Sequence, residues 1–195
     1  MEKDVKDLLI DELHDILSSE EQIIKALPEM AKAAQTPELK KAFETHLKET
    51  KGQVKRLDMI FKILKVKKQK KFCKGTKGLI DEGKEVLKDM KKKSLARDAA
   101  LISKAQRIEH YEISAYGTAR AFAQVLDLGN VADLLEATLI EEEGADIKLT
   151  GISVGGLLTN IEKIAHSKSK PAKKVIERTQ KKVATPTKKK TAARK

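Results

Sequence analysis

Along most of this chain apolar residues return every three to four positions, the spacing that gives a helix one buried stripe. The first stripe is Val5, Leu9, Leu13, Ile16, Ile23, Leu27 and Met30. It predicts a helix over 4–34 that passes through Pro28 with a kink, because the periodicity resumes beyond the proline. Thr36 followed by Pro37 reads as a cap and a first helical residue. A second stripe, Leu39, Phe43, Leu47, Leu57, Ile60 and Phe61, predicts a helix ending near residue 64. A basic, glycine-punctuated stretch over 65–78 follows, with a short amphipathic helix over 76–90. A third long helix runs from near Ser94 to Val125 through Leu101, Ile102, Ala105, Ile108, Tyr116, Ala119 and Ala123. Asp127-Leu128-Gly129-Asn130 reads as a turn in which Gly129 takes the left-handed conformation that closes a helix. The fourth helix is predicted over 131–152, with a weaker helical segment over 154–166.

The connections decide the wiring. The first and second helices, and the third and fourth, are joined by a few residues each, so each pair is an antiparallel hairpin. About thirty residues separate the hairpins, enough to cross the length of a bundle. The expected fold is all-α: a ferritin-like four-helix bundle, two antiparallel hairpins with a long crossover containing a short helix. Scarce aromatics (3 %) and only four prolines agree with it.

The net charge of +12 changes the picture once it is located. Residues 167–195 hold twelve Lys/Arg and one acid, Glu177, leaving +1 for residues 1–166. The chain therefore reads as a near-neutral bundle over 1–166 and a lysine-rich tail over 167–195, which has little to bury and is expected to stay disordered. Lys173, Lys174, Lys188, Lys189, Lys190 and Arg194 are the candidates for nonspecific contact with DNA or RNA phosphates. An anionic membrane surface, or solubility alone, are the other uses of such a tail. Cys73 is the only cysteine, which excludes an intrachain disulfide. No apolar signal core follows the charged start, and the longest uncharged stretch, thirteen residues with three glycines, is too short to span a bilayer. The expected compartment is the cytoplasm, near the nucleoid if the tail binds DNA.

The buried stripes are interrupted by acids. Glu20 falls between Ile16 and Ile23; His46, Glu49 and Gln53 fall on the second stripe, Glu109 and Glu112 on the third, Glu142 on the fourth with Asp146 one turn on. Residues level on an antiparallel hairpin are equidistant from its turn. The midpoint of Glu20 and Glu49 falls beside the turn at Gln35-Thr36-Pro37, and that of Glu112 and Glu142 in the turn at Asp127-Leu128-Gly129. Four buried, clustered carboxylates left ionised would each cost several kcal/mol. Two divalent ions neutralise them, and an oxygen-rich donor set suits iron or manganese. Glu20, Glu49, Glu112 and Glu142 are thus candidate ligands for two ions per chain, with His46, Gln53, Glu109 and Asp146 as further ligands or hydrogen-bonders to them. His14 and His110 fall off the stripes. Tyr116 packs in the core one turn beyond Glu112, within reach of a carboxylate, and Cys73 reads as a structural thiol.

The stretches 11–16 (DELHDI), 26–31 (ALPEMA), 42–50 (AFETHLKET), 105–112 (AQRIEHYE), 115–119 (AYGTA) and 138–142 (TLIEE) resemble the bacterial YciE/YciF stress-protein family. The resemblance spans about 6–152 and is most specific at 105–112. It implies a ferritin-like fold, commonly dimeric, with a metal role. One departure matters: the Glu-x-x-His of the wider ferritin-like pattern would put histidines at 52 and 145, where this chain has Gly52 and Ala145. Three readings follow. One is a stress-protection metalloprotein acting on peroxide or dioxygen, with a basic tail. The second is a nucleoid-associated DNA-binding scaffold with no catalytic metal, and the third a metal-free helical interaction protein.

Overall fold

The computed structural model describes residues 4–157. The predicted tail, its six basic candidates and the end of the segment predicted over 154–166 lie outside them. Among the described residues every regular element is helical: α1 (Val5–Ala33), α2 (Pro37–Leu64), α3 (Lys74–Asp89), α4 (Leu95–Val125) and α5 (Gly129–Ile152), then a π-helical turn at Ser153–Leu157. The all-α expectation holds. Among these residues no helix is long and apolar enough to cross a membrane.

The caps explain most boundaries. Asp4 accepts from the Asp7 amide at 2.8 Å, and Asp7 reaches back to the Asp4 amide, closing a capping box on α1. α1 runs unbroken through Pro28. Pro37 opens α2, but the Thr36 hydroxyl makes no cap bond and instead donates to Asp98. α3 starts two residues earlier than predicted because the Cys73 sulfur caps it, accepting from the Thr76 amide. Gly129 does not take the left-handed conformation expected of it. Asp127 does, at φ 54°, and α5 begins at Gly129 itself. Asp tolerates that region because its short polar side chain can bond locally, which leaves Gly129 free to join the helix.

At one end of the bundle Leu9 and Leu13 of α1 share a core with Leu57, Ile60 and Phe61 of α2, Ala119 and Ala123 of α4, and Val131 and Leu135 of α5. α1 and α2 therefore run oppositely, as do α4 and α5. Ser19 meets Glu112 while Thr36 meets Asp98, so α4 also runs against α1. Gln53 meets Glu142 and Arg56 meets Thr138, so α5 runs against α2. α2 thus ends at the Leu9 core while α4 starts beside the α1–α2 turn, and α3 returns between them, packed on α1 and α4. Gly75 lets it sit close, since a Cβ there would stand 2.8 Å from the Tyr111 ring.

Candidate metal centre

Midway along the four long helices the apolar core gives way to acids. Glu20 (α1), His46 (α2), Glu109 and Glu112 (α4) and Glu142 (α5) are all at most 5 % exposed. Each helix brings its residue inward by ordinary stripe periodicity. Glu109 and Glu112 are one turn apart, so a single face of α4 delivers two carboxylates. One donor atom from each of His46, Glu109, Glu112 and Glu142 lies within 4.8 Å of the others. His46 Nε2 stands 3.4 Å from Glu109 Oε2 and 3.7 Å from Glu142 Oε2, while its Nδ1 faces Glu49 Oε2 at 3.5 Å.

Three of the carboxylates share one arrangement. The hydroxyl of Tyr116 donates to Glu20 Oε1, Ser19 Oγ donates to Glu112 Oε1 at 3.2 Å, and Gln53 Nε2 donates to Glu142 Oε1. In each case a neutral donor holds one oxygen, and the other, Oε2, is buried with no hydrogen-bond partner. Glu109 Oε2 and both ring nitrogens of His46 are likewise without one. Buried acceptors are nearly always satisfied, so this is the concentration of unmade bonds that a bound cation removes.

The electrostatics follow from burial. Desolvation pushes the Glu20 carboxyl up to about 8, with the Glu142 charge adding to it. Desolvation likewise raises Glu109, Glu112 and Glu142, His46 partly offsetting it at Glu109 and Glu142. For His46 burial alone would push the ring down, but Glu109, the Glu49 carboxylate beside Nδ1, Glu142 and Glu20 together carry it up to about 10. Tyr116 is raised by burial and by Glu20, and stays a neutral donor.

These shifts fix the sign of a pH effect on the metal-free chain. A carboxyl raised from 4.5 to about 8 keeps in the folded state a proton that the unfolded chain releases. Stability from it is full below about 4.5 and lost as pH rises through 8. His46, raised from 6.5, loses its contribution in the same direction at higher pH. The metal-stripped protein should therefore melt several °C lower at pH 8 than at pH 5.5 by calorimetry at constant ionic strength. A melting temperature that climbs over that interval would contradict this charge assignment.

The residues anticipated from the sequence are distributed unevenly. Glu112 and Glu142 come together with His46 and Glu109; Glu20 is buried nearby and feels the Glu142 charge, but stands outside that close group of four. Gln53 is fully buried and serves as the donor to Glu142. Glu49 stands on the rim: its side chain is 36 % exposed, and the His46 ring beside it holds its carboxyl below the usual range. Asp146 turns to the α4–α5 flank, where Gln106 Nε2 donates to it at 2.9 Å and His110 lies 3.5 Å away. His14 touches the crossover through the Lys67 carbonyl at 3.3 Å, and His110 is exposed. Cys73 is buried between Thr76 and Tyr111, consistent with a structural thiol.

Two supporting residues were not singled out from the sequence. Ser19 ties the crossover to the centre by bonding both Glu112 and Thr76 Oγ1, the latter at 2.7 Å. Arg56 bonds Thr138 Oγ1 at 2.9 Å and pairs with Glu141, neutralising the acid next to Glu142. Serine beside Glu20 and arginine one turn after Gln53 were the available signals. A cavity of about 230 Å³ leads from solvent to His46 and Glu109 between Glu49 of α2 and Gly144 and Lys148 of α5.

Comparison with known proteins places these features among relatives. Residues 4–162 match the family described as a domain of unknown function, DUF892. The chain is 41 % identical over 170 residues to protein YciF of Escherichia coli, covering 86 % of this chain and 98 % of that protein. The crystal structure of the E. coli stress protein YciF superposes with a TM-score of 0.76 at 39 % identity, over 83 % of this chain and 99 % of that one. YcfI of Rhodopseudomonas palustris gives 0.73 at 38 %, over 76 % and 94 %. A Xanthomonas campestris protein, at 18 % identity and a TM-score of 0.64 over 83 % and 99 %, shares the fold.

Proposed function

Since the chain belongs to the DUF892 family of YciF-like proteins, we propose that it is a ferritin-like stress-protection metalloprotein whose buried acids hold a pair of iron or manganese ions. The observation that carries this reading is the set of inward Oε2 atoms of Glu20, Glu109, Glu112 and Glu142 and the ring nitrogens of His46, all buried and without hydrogen-bond partners. Hard carboxylate oxygens and one imidazole are the donors such ions prefer. Four carboxylates balance the charge of two divalent ions, which supports two per chain. His46, Glu109, Glu112, Glu142 and Glu20 would hold them, with Glu49 at the rim. Ser19, Gln53 and Tyr116 orient the carboxylates from outside. Once bound, ions of this kind supply Lewis-acid and electron-transfer chemistry toward peroxide or dioxygen. The chain's own part is to keep the carboxylates dry and aimed and to leave the cavity beside Glu49 open. The opposed helix directions and the returning crossover support the ferritin-like reading of the wiring.

Elemental analysis of protein purified without chelator or affinity metal tests this directly. About two iron or manganese ions per chain are expected. Fewer than about 0.2, with no uptake from excess Mn(II), would refute it.

The tail adds a second property to the proposal. Residues 167–195 carry +11 against +1 for the rest, a footprint suited to phosphates of any sequence, with Lys173, Lys174, Lys188, Lys189, Lys190 and Arg194 as the contacts. A cytoplasmic homodimer carrying two such tails would hold its metal close to nucleic acid, where iron is most damaging. If about six to eight phosphates are engaged, log K for duplex DNA should fall with log salt at a slope near −5 to −7. Truncation after His166 should abolish binding and leave metal content unchanged. Equal gel-shift titrations for the two forms would move the contact onto the bundle.

A further inference from the structure

Beneath α3 lies a second cavity, of about 40 Å³, and its chemistry is unlike that of the one beside Glu49. Ile23 and Leu27 of α1, Phe43 of α2, Ile80 of α3, and Leu101 and Ile108 of α4 make its walls. All but Ile108 are at most 7 % exposed. Lys104 lends its stem to the lining, but its Nζ is turned to Glu82 of α3, at 2.7 Å, and Glu82 also accepts from Arg107 at 2.7 Å. The remaining polar lining is His46 and Glu109, 5 % and 4 % exposed, whose ring nitrogens and Oε2 have no hydrogen-bond partner. The cavity therefore ends on the donors of the acidic centre.

Positions that could fill the space carry small residues instead. Ala26, Gly83 and Ala105, from three helices, also line it. Gly83 is buried inside α3, where glycine costs a helix about 1 kcal/mol against alanine. A Cβ on it would stand 3.3 Å from Met30 Cε. A void also forfeits dispersion contacts along its walls, so the space lowers stability on two counts. Size and polarity decide what occupies it. At about 10–15 Å³ for one water-sized molecule, it holds only a few atoms, which excludes an organic substrate. A water needs several polar partners, and here His46 and Glu109 are given to the ion. Peroxide would bury hydroxyl groups without hydrogen bonds. Dioxygen has no proton to donate and gains by leaving water for an apolar space.

We propose that this cavity is a dioxygen site opening on His46 and Glu109, separate from the polar cavity between α2 and α5. This deepens the proposed function by selecting dioxygen over peroxide. It rests on that reading for its chemistry, whereas the binding itself needs no metal. Methyl NMR of the metal-free full chain under dissolved dioxygen tests it, because the paramagnetic gas speeds relaxation of the methyls it contacts. Leu27, Ile80 and Leu101 should show an enhancement several-fold above that of Leu9, Leu13 and Leu57, which are as deeply buried in the core at the end of the bundle. Ala105→Leu should remove the excess and leave the Leu9 core unchanged. Crystals of the unsubstituted protein under xenon should show a peak in the same place, which keeps the test independent of how the variant folds. Equal enhancement in both regions, an excess that survives Ala105→Leu, or ordered water where xenon is expected would each overturn the site, whether or not metal is bound. The dioxygen excess in a chain that takes up no iron or manganese would uphold the site and refute the metal reading alone.

Discussion

Replacing Glu142 by glutamine is expected to lower metal affinity by at least about 100-fold and, in the metal-free chain, to raise the melting temperature. The two effects have opposite signs because one carboxylate serves two balances. For a bound ion, Glu142 is one of four donors within 4.8 Å of one another, with His46, Glu109 and Glu112, and its loss removes both a ligand oxygen and a compensating charge. Without metal, the same carboxylate adds to the repulsion felt by Glu20, Glu109 and Glu112. Glutamine keeps the shape and an oxygen for Gln53 to donate to, and its amide can donate toward Glu109 Oε2. Removing like charge from a dry site is stabilising where the charge is uncompensated. A rise of a few °C is expected by calorimetry. Unchanged affinity would remove Glu142 from the ligand set, and a fall in melting temperature of the metal-free form would contradict the repulsion. Glu49→Gln, at the rim, should weaken binding less.

Replacing Asp98 by alanine is expected to destabilise the fold by about 3 kcal/mol without touching the centre. Asp98 is wholly buried near the start of α4, and its carboxylate accepts three bonds: from the Gln35 amide at 2.7 Å, the Thr36 amide at 2.8 Å and the Thr36 hydroxyl at 2.8 Å. It thus fastens the α1–α2 turn to the second hairpin and takes up the Thr36 hydroxyl, which gives α2 no side-chain cap. Its neighbour Arg97 works on the same corner, donating to the carbonyls of Ala33, Met90 and Lys91. Hydrogen bonds to a charged group are each worth about 1.5–3 kcal/mol, and alanine leaves buried donors unsatisfied. Urea denaturation should show the loss at unchanged m-value, while the folded fraction keeps its metal. A change below about 1 kcal/mol would mean that water or another acceptor replaces the carboxylate.

Helix positions were legible because stripes, caps and prolines are local signals, and the level of the acidic centre was legible because it depends only on counting from a turn. Rotation about each helix axis was not. On α2 the stripe admits Thr50 as readily as Glu49. Thr50 takes the inward place because its hydroxyl closes onto the His46 carbonyl at 2.7 Å and leaves nothing polar unsatisfied, which swings Glu49 to the rim. On α5 the same competition turns Ala145 in, and Asp146 on the flank accepts from Gln106 Nε2, which also donates to Thr150 Oγ1. Such choices are made by partners distant in sequence, which periodicity does not contain. His46 and Glu109 were marked only as secondary for the same reason, although each stands at the middle of the group. Asp127 in place of Gly129 shows that a turn dipeptide fixes the place of a helix end better than the residue that bends.

The central claim is that the buried acids of four helices hold divalent metal, and anomalous diffraction from crystals of the full chain grown with Mn(II) tests it most directly. Peaks are expected among His46, Glu109, Glu112, Glu142 and Glu20, absent from crystals of the Glu142→Gln variant grown alongside. Manganese found only at exposed acids such as Glu143, with those five side chains bonded to one another or to water, would contradict the claim.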